Sequence, residues 1–162
     1  MIILDTSALI TIASINLRDP VLTEYDVHTT ETVIEELNER AEYEDVHGEA
    51  AQTVLDQVDR IEVHKTNTQQ FQSSRIDDGE ASIVTLANNR QAEFLITDDL
   101  RALPELQAVA DSTVVISPIL LKALVKRDIL EQKEAVEKLE EAAENRDWLE
   151  SPIYKKTKNL FE

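Results

Sequence analysis

Short unbroken apolar runs alternate with longer stretches of helical periodicity along this chain. Ile2-Ile3-Leu4, Phe94-Leu95-Ile96 and Val114-Val115-Ile116 each read as a strand buried on both faces. Asp26-Val27-His28 and Ile61-Glu62-Val63 are weaker strand candidates. Between them the periodicity predicts helices over Ala8–Ala13, Glu31–Tyr43, Gly48–Val58, Glu80–Asn89 and Leu100–Ala110. Thr29 or Thr30 is placed to cap the second of these, and Asp77 or Asp78 the fourth. Pro104 falls near the first turn of the fifth, and Ser117-Pro118 opens a further helix with serine as cap. The polar stretch Lys65–Ser74 reads as a loop. Alternating strands and helices predict an α/β fold, a three-layer α/β/α sandwich around a central, mostly parallel sheet.

After the third strong strand the pattern turns helical. Glu131–Glu144 is rich in Glu and Lys at helical spacing and reads as a solvent-exposed helix. The tail places Trp148, Tyr154 and Phe161 among Lys155, Lys156 and Lys158, as a last helix laid on the body. No repeat or long linker divides the 162 residues, so one domain over 1–162 is expected, with 131–162 as its C-terminal helical segment. At this length folding removes ~70% of the unfolded chain's surface from water, enough for a core without staples.

Composition narrows the chemistry. The absence of cysteine excludes disulfides, zinc–cysteine sites and thiol nucleophiles. No apolar run approaches the ~20 residues of a membrane-spanning helix, and Met1-Ile2-Ile3-Leu4-Asp5 does not read as a secretory leader, so a cytoplasmic protein is expected. Sixteen Lys+Arg against 33 Asp+Glu give a net charge of −17. Such a surface suits very high salt, where repulsion is screened, and the composition reads as halophile-like. In ordinary salt the same charge opposes nucleic-acid binding.

With so many acids, the informative ones are those where a surface charge does not belong. Asp5 directly follows the first buried strand, and Asp98 and Asp99 follow another after Thr97. In an open parallel sheet the carboxyl ends of the strands, near the switch in strand order, are where ligands bind. Glu80 precedes Ile83, Val84 and Ala87 at i+3, i+4 and i+7, which puts it on the inward stripe of its helix. Glu36 lies three residues after Val33 and beside Leu37, on or next to an apolar stripe, whereas Glu35 points outward. Any one of these acids alone reads as a helix cap or a partner of the helix dipole. As a set they read as a site for a hard divalent cation, Mg²⁺ or Mn²⁺.

These residues carry a resemblance. Ile3-Leu4-Asp5-Thr6-Ser7, Val33-Ile34-Glu35-Glu36-Leu37, Asp78-Gly79-Glu80-Ala81 and Leu95-Ile96-Thr97-Asp98-Asp99 resemble, in order, the four acidic motifs of the PIN domain, the metal-dependent nuclease fold of VapC-type toxins. The resemblance implies that Asp5, Glu36, Glu80 and Asp99 are catalytic and bind one or two Mg²⁺ or Mn²⁺ ions. It implies Asp98 as a further ligand or a support for one, and Ser7 and Thr97 as residues that orient carboxylates or phosphate. The implied reaction is endonucleolytic hydrolysis of RNA by metal-activated water. An antitoxin protein as partner follows if the chain is the toxin of such a pair. The chain departs from the family in having Glu at the third position, often Asp, and in showing no evident basic groove.

Other chemistries fail on the residues. A phosphoaspartyl phosphatase needs an aspartate where Ser7 stands, and a receiver domain needs a lysine where the third strand ends in Ser117-Pro118. With Gly48 and Gly79 as the only glycines, neither a dinucleotide turn nor a phosphate loop is present. His28, His47 and His64 lack zinc spacing and read as surface or structural residues. Two functions remain, a metal-dependent ribonuclease and a catalytically idle PIN scaffold that binds protein or RNA. A homodimer is expected, with Leu120, Leu121, Leu124, Trp148 and Phe161 as apolar contact area.

Overall fold

Five short strands build one parallel sheet in the order β3-β2-β1-β4-β5. A computed structural model describes residues 1–66, 76–148 and 151–161. The strands are β1 (Ile2–Leu4), β2 (Val27–Thr30), β3 (Glu62–His64), β4 (Phe94–Ile96) and β5 (Thr113–Val115). Every pairing is parallel, with Ile3 of β1 beside His28 on one side and Leu95 on the other. The unbroken apolar runs of β1 and β4 are explained by this central position. The chain winds outward from β1 through β2 to β3, then returns to β4 on the other side of β1. The switch in strand order therefore falls between β1 and β4, beneath Asp5 and Asp98-Asp99.

The connecting helices are α1 (Thr6–Ser14), α2 (Arg18–Glu24), α3 (Glu31–Arg40), α4 (Val46–Leu55), α5 (Asp78–Arg90) and α6 (Leu103–Val109). Helix α5 runs against β2, β1 and β4 with α6 beside it, while α1 packs with α4 and with a C-terminal helix, Gln132–Arg146. Residues Gly79 to Ala87 of α5 are all buried, so its first turn is presented to the sheet rather than to water. Asp77, not Asp78, is its cap: Asp77 Oδ1 accepts from Glu80 N and Glu80 Oε2 accepts from Asp77 N, each at 2.9 Å. Thr30 caps α3 by accepting from Val33 N at 3.2 Å.

The structure departs from the periodicity in several places. Helix α2, with two buried apolar residues, is too short to show a stripe in the sequence. Strand β2 extends to Thr30 and β5 begins one residue early at Thr113. Ser117 stands before helix α7 (Pro118–Lys126) without capping it through its side chain. Most of the Lys65–Ser74 loop lies outside the described residues.

The C-terminal segment corrects two expectations. Helix α8 (Gln132–Arg146) is not simply solvent-exposed: Ala135, Leu139, Ala142 and Ala143 form a buried stripe against the body. Asp147 adopts the left-handed conformation that ends it, and Trp148 N then donates to Ala143 O. Helix α9 (Pro152–Lys158) follows. The proposed dimer contact is used internally instead. Leu120, Leu121, Leu124, Trp148 and Phe161 are all at most 7% exposed within the single chain, so they offer no surface to a second copy.

Candidate active site

The carboxyl ends of β1 and β4 and the first turns of α1 and α5 enclose a cavity of ≈ 240 Å³. Asp5, Ser7, Glu36, Glu80 and Asp99 line it, together with Thr6, Asp77, Gly79, Arg40 and Arg146. The four acids read as catalytic from the sequence thus share one wall. Asp98 does not line this cavity but an adjoining one.

Asp5 is the most tightly held. Its Oδ1 accepts from Ala8 N at 2.8 Å and from Ser7 Oγ at 2.7 Å. Its Oδ2 accepts from Thr97 Oγ1 at 2.5 Å. It caps α1 and simultaneously faces the cavity, so the capping role and the site role coexist. Burial pushes its carboxyl up to about 6, against the hydrogen bonds, with Asp98 adding repulsion. Ser7 and Thr97 thus each donate to one oxygen of the Asp5 carboxylate. Ser7 Oγ also accepts from Asp98 N at 2.9 Å, which locks the β4 end onto the β1 end.

Glu36 comes from α3, and its neighbour Glu35 is exposed, as the helical phase requires. Its Oε1 is buried and, among the described residues, has no hydrogen-bond partner. Burial first, then the charges of Asp77, Asp5 and Glu80, push its carboxyl up to about 7. The backbone of Gly79 makes room for it: a Cβ on residue 79 would stand 1.8 Å from Glu36 Oε1. A side chain at residue 79 would therefore force the Glu36 carboxylate to move.

Glu80 is 5% exposed and divides its oxygens between two roles. Oε2 closes the capping box, and Oε1 lies 3.3 Å from Arg101 Nη2. Burial, then the Asp77 and Asp99 charges, raise it to about 7. Asp99 accepts from Arg101 N at 3.0 Å and from Arg101 Nη2 at 3.2 Å. Asp98 accepts from Ser117 N at 2.7 Å, pinning the end of β4 to the start of α7. Burial raises its carboxyl as well.

Arginines are what the sequence reading missed. Arg146 donates through Nε to Thr11 Oγ1 at 2.8 Å and through Nη2 to Ser7 O, reaching the cavity from the end of α8. Its signal was present: residues 135, 139, 142 and 146 share one helical face, so Arg146 continues an apolar stripe. Arg101 bridges Glu80 and Asp99, and Arg40 lines the rim. A basic element thus exists in a chain of net charge −17, assembled from three distant segments.

The donor set fits a hard divalent cation. All side-chain donors among the four acids are carboxylate oxygens, one is orphaned, and three carboxyls are held well above their ordinary values by burial and mutual repulsion. Among the described residues, no three carboxylates of the cavity bring an oxygen each within 4.8 Å of one another. Two of the histidines meet: His28 Nδ1 lies 2.8 Å from His64 Nε2 across β2 and β3, with Glu62 beside them.

A parallel α/β sandwich with clustered acids at the switch in strand order defines a metal-dependent nuclease fold of the PIN type. The family model DUF3368, a PIN domain, matches residues 1–162, and the chain belongs to this PIN-domain family. No curated protein matches it.

Proposed function

We infer that this protein is a divalent-metal-dependent endoribonuclease, with Asp5, Glu36, Glu80 and Asp99 as its catalytic acids. The observation that carries this reading is the shared cavity, which Asp5, Glu36, Glu80 and Asp99 all line, with the carboxyls of Asp5, Glu36 and Glu80 raised by burial. These four carboxylates would hold Mg²⁺ or Mn²⁺, which would supply electrophilic stabilisation of the phosphoryl group and activation of water. Thr97 and Ser7 hold the Asp5 carboxylate in one orientation, and Asp98 fixes the loop that carries Asp99. Arg40 and Arg146 offer guanidinium donors at the rim for RNA phosphates, whose approach the overall charge otherwise opposes. The acidic surface suits operation in strong salt.

The role of a toxin restrained by an antitoxin is consistent with this site. Arg101 favours the second reading, an idle scaffold, because its guanidinium already neutralises Glu80 and Asp99. It is 64% exposed, however, and a cation or substrate can displace it without unfolding anything. The deciding experiment is cleavage of a mixed RNA pool in high salt with Mg²⁺ or Mn²⁺. Wild type cleaves and Asp5→Asn does not; equal inactivity of both, with folded protein, establishes the scaffold.

A further inference from the structure

On the open edge of the sheet, β2 and β3 present four ligand-type side chains from one face. Parallel pairing sets His28 beside Glu62 and Thr30 beside His64. Alternation then points residues 26, 28, 62 and 64 to the same side. His28 and His64 are near parallel, 9° apart, with ring centres 5.1 Å apart, and they meet by their nitrogens rather than by their faces. Glu62 Oε2 lies 3.5 Å from His28 Nε2, and its Oε1 lies 3.9 Å from His64 Nε2. One ligand atom from each of His28, Glu62 and His64 falls within a 4.8 Å cluster.

We propose that His28, His64 and Glu62 form a second divalent-metal site, of Zn²⁺-type chemistry, that ties edge strand β3 to β2. Two imidazoles and one carboxylate are a borderline donor set, suited to Zn²⁺, Co²⁺ or Ni²⁺ and unsuited to Mg²⁺. Asp26 Oδ1 lies 2.8 Å from His28 Nε2. That contact keeps the proton on Nε2 and leaves the Nδ1 lone pair aimed at His64, as a carboxylate behind a metal-bound histidine does. The site is separate from the acidic cavity. Arg90, whose Nη2 lies 3.5 Å from His64 Nδ1, ends α5, whereas Glu80 begins it about 15 Å away along the helix axis.

The 2.8 Å between His28 Nδ1 and His64 Nε2 is the length of one N–H···N hydrogen bond. Two nitrogens at ~2.0–2.1 Å from one tetrahedral ion stand about 3.3 Å apart. Loading therefore requires the rings to pivot apart by about half an ångström and the bridging proton to leave, or to move to His64 Nδ1. His64 is the freer of the two, on an edge strand, and Arg90 is exposed enough to yield. Metal and proton compete for the same lone pairs, so affinity falls as pH drops.

The test is titration of the full chain with Zn²⁺, and with Co²⁺ for its visible absorption, in wild type, Asp5→Asn, His64→Gln, Glu62→Gln and Asp26→Asn. Wild type and Asp5→Asn should bind one equivalent at the histidines, develop the Co²⁺ band and melt higher with Zn²⁺. His64→Gln should lose the band, and Asp26→Asn should weaken binding about 10–100-fold. Absence of a band and of a Zn²⁺ shift in folded wild type overturns the proposal, leaving a proton-bridged pair only. Wild-type affinity in His64→Gln overturns it equally. If His64→Gln fails to fold by far-UV circular dichroism, Glu62→Gln and Asp26→Asn decide: unchanged affinity in both rejects the site.

Discussion

The acidic cavity and the histidine edge are both clusters of ligand atoms on one sheet, yet they solve the problem of burial in opposite ways. At the edge, each ring nitrogen has a partner within the group: Asp26, the other histidine, or Arg90. In the cavity the carboxyls of Asp5, Glu80 and Asp99 draw their donors from backbone, hydroxyl and guanidinium groups outside their own set, and among the described residues Glu36 Oε1 has none. The two imidazoles satisfy one another; the carboxyls lean on donors that other elements bring. The cavity therefore depends on something from outside, while the edge is complete and exchanges its proton only for a competing cation.

The comparison is broken most sharply by removing one charge from the cavity. Asp5→Asn should reduce metal-dependent RNA cleavage more than ~100-fold, beyond the effect typical of residues behind a ligand. Its metal-free melting temperature should hold or rise, because repulsion falls; a large drop would show Asp5 acting mainly as the α1 cap. Gly79→Ala comes next. The new methyl must displace the Glu36 carboxylate, so cleavage should fall at least ~10-fold, while the change from Gly to Ala inside α5 favours the helix by roughly 0.5–1 kcal/mol. Paired melting and activity measurements separate the two effects.

Arg146→Ala should destabilise through lost hydrogen bonds to Thr11 and Ser7 O, by about 1.5–3 kcal/mol for a charged donor. A chain of this size should then melt roughly 3–10 °C lower.

The pH dependence follows from the raised carboxyls. Asp5 moves from 3.8 to about 6, and Glu36 and Glu80 from 4.5 to about 7. The folded state thus holds protons that the unfolded chain has released. Their contribution to stability is fully present below about 4 and is lost as pH rises through 6 to 7. Metal-free protein in chelator should melt lower at pH 8 than at pH 5.5, and Mn²⁺ should restore most of the difference at pH 8 only. The smallest expected effect is Glu35→Gln, exposed one residue from Glu36, which should leave cleavage and melting within error.

Much of the fold was legible in the residues. Three apolar triplets named β1, β4 and, within one residue, β5, whereas the fully buried β2 carries His28, Thr29 and Thr30 and gave only a weak signal. Helical phase separated Glu36 from Glu35 and turned Glu80 inward. Where the elements were short or half-exposed, the signal failed: α2 is too brief for a stripe, and an alternation such as that of β3 does not reveal which strand it joins. The expected dimer contact failed for a related reason, since an apolar side chain looks the same whether a second copy or the chain's own α8 covers it.

The sequence by itself determined which acids sit at strand ends and on inward stripes, since that depends on local period alone. Only the tertiary structure decided which of them share a cavity, because residues 5, 36, 80 and 99 are joined by strand order and crossover, quantities that no local pattern encodes. It decided that Asp98 turns to Ser117, that Arg40, Arg101 and Arg146 gather where the net charge argued against cations, and that His28 and His64 meet. Each of these contacts spans tens of residues of chain, and each is set by the pairing of strands and the docking of helices, whose free energy belongs to the whole domain.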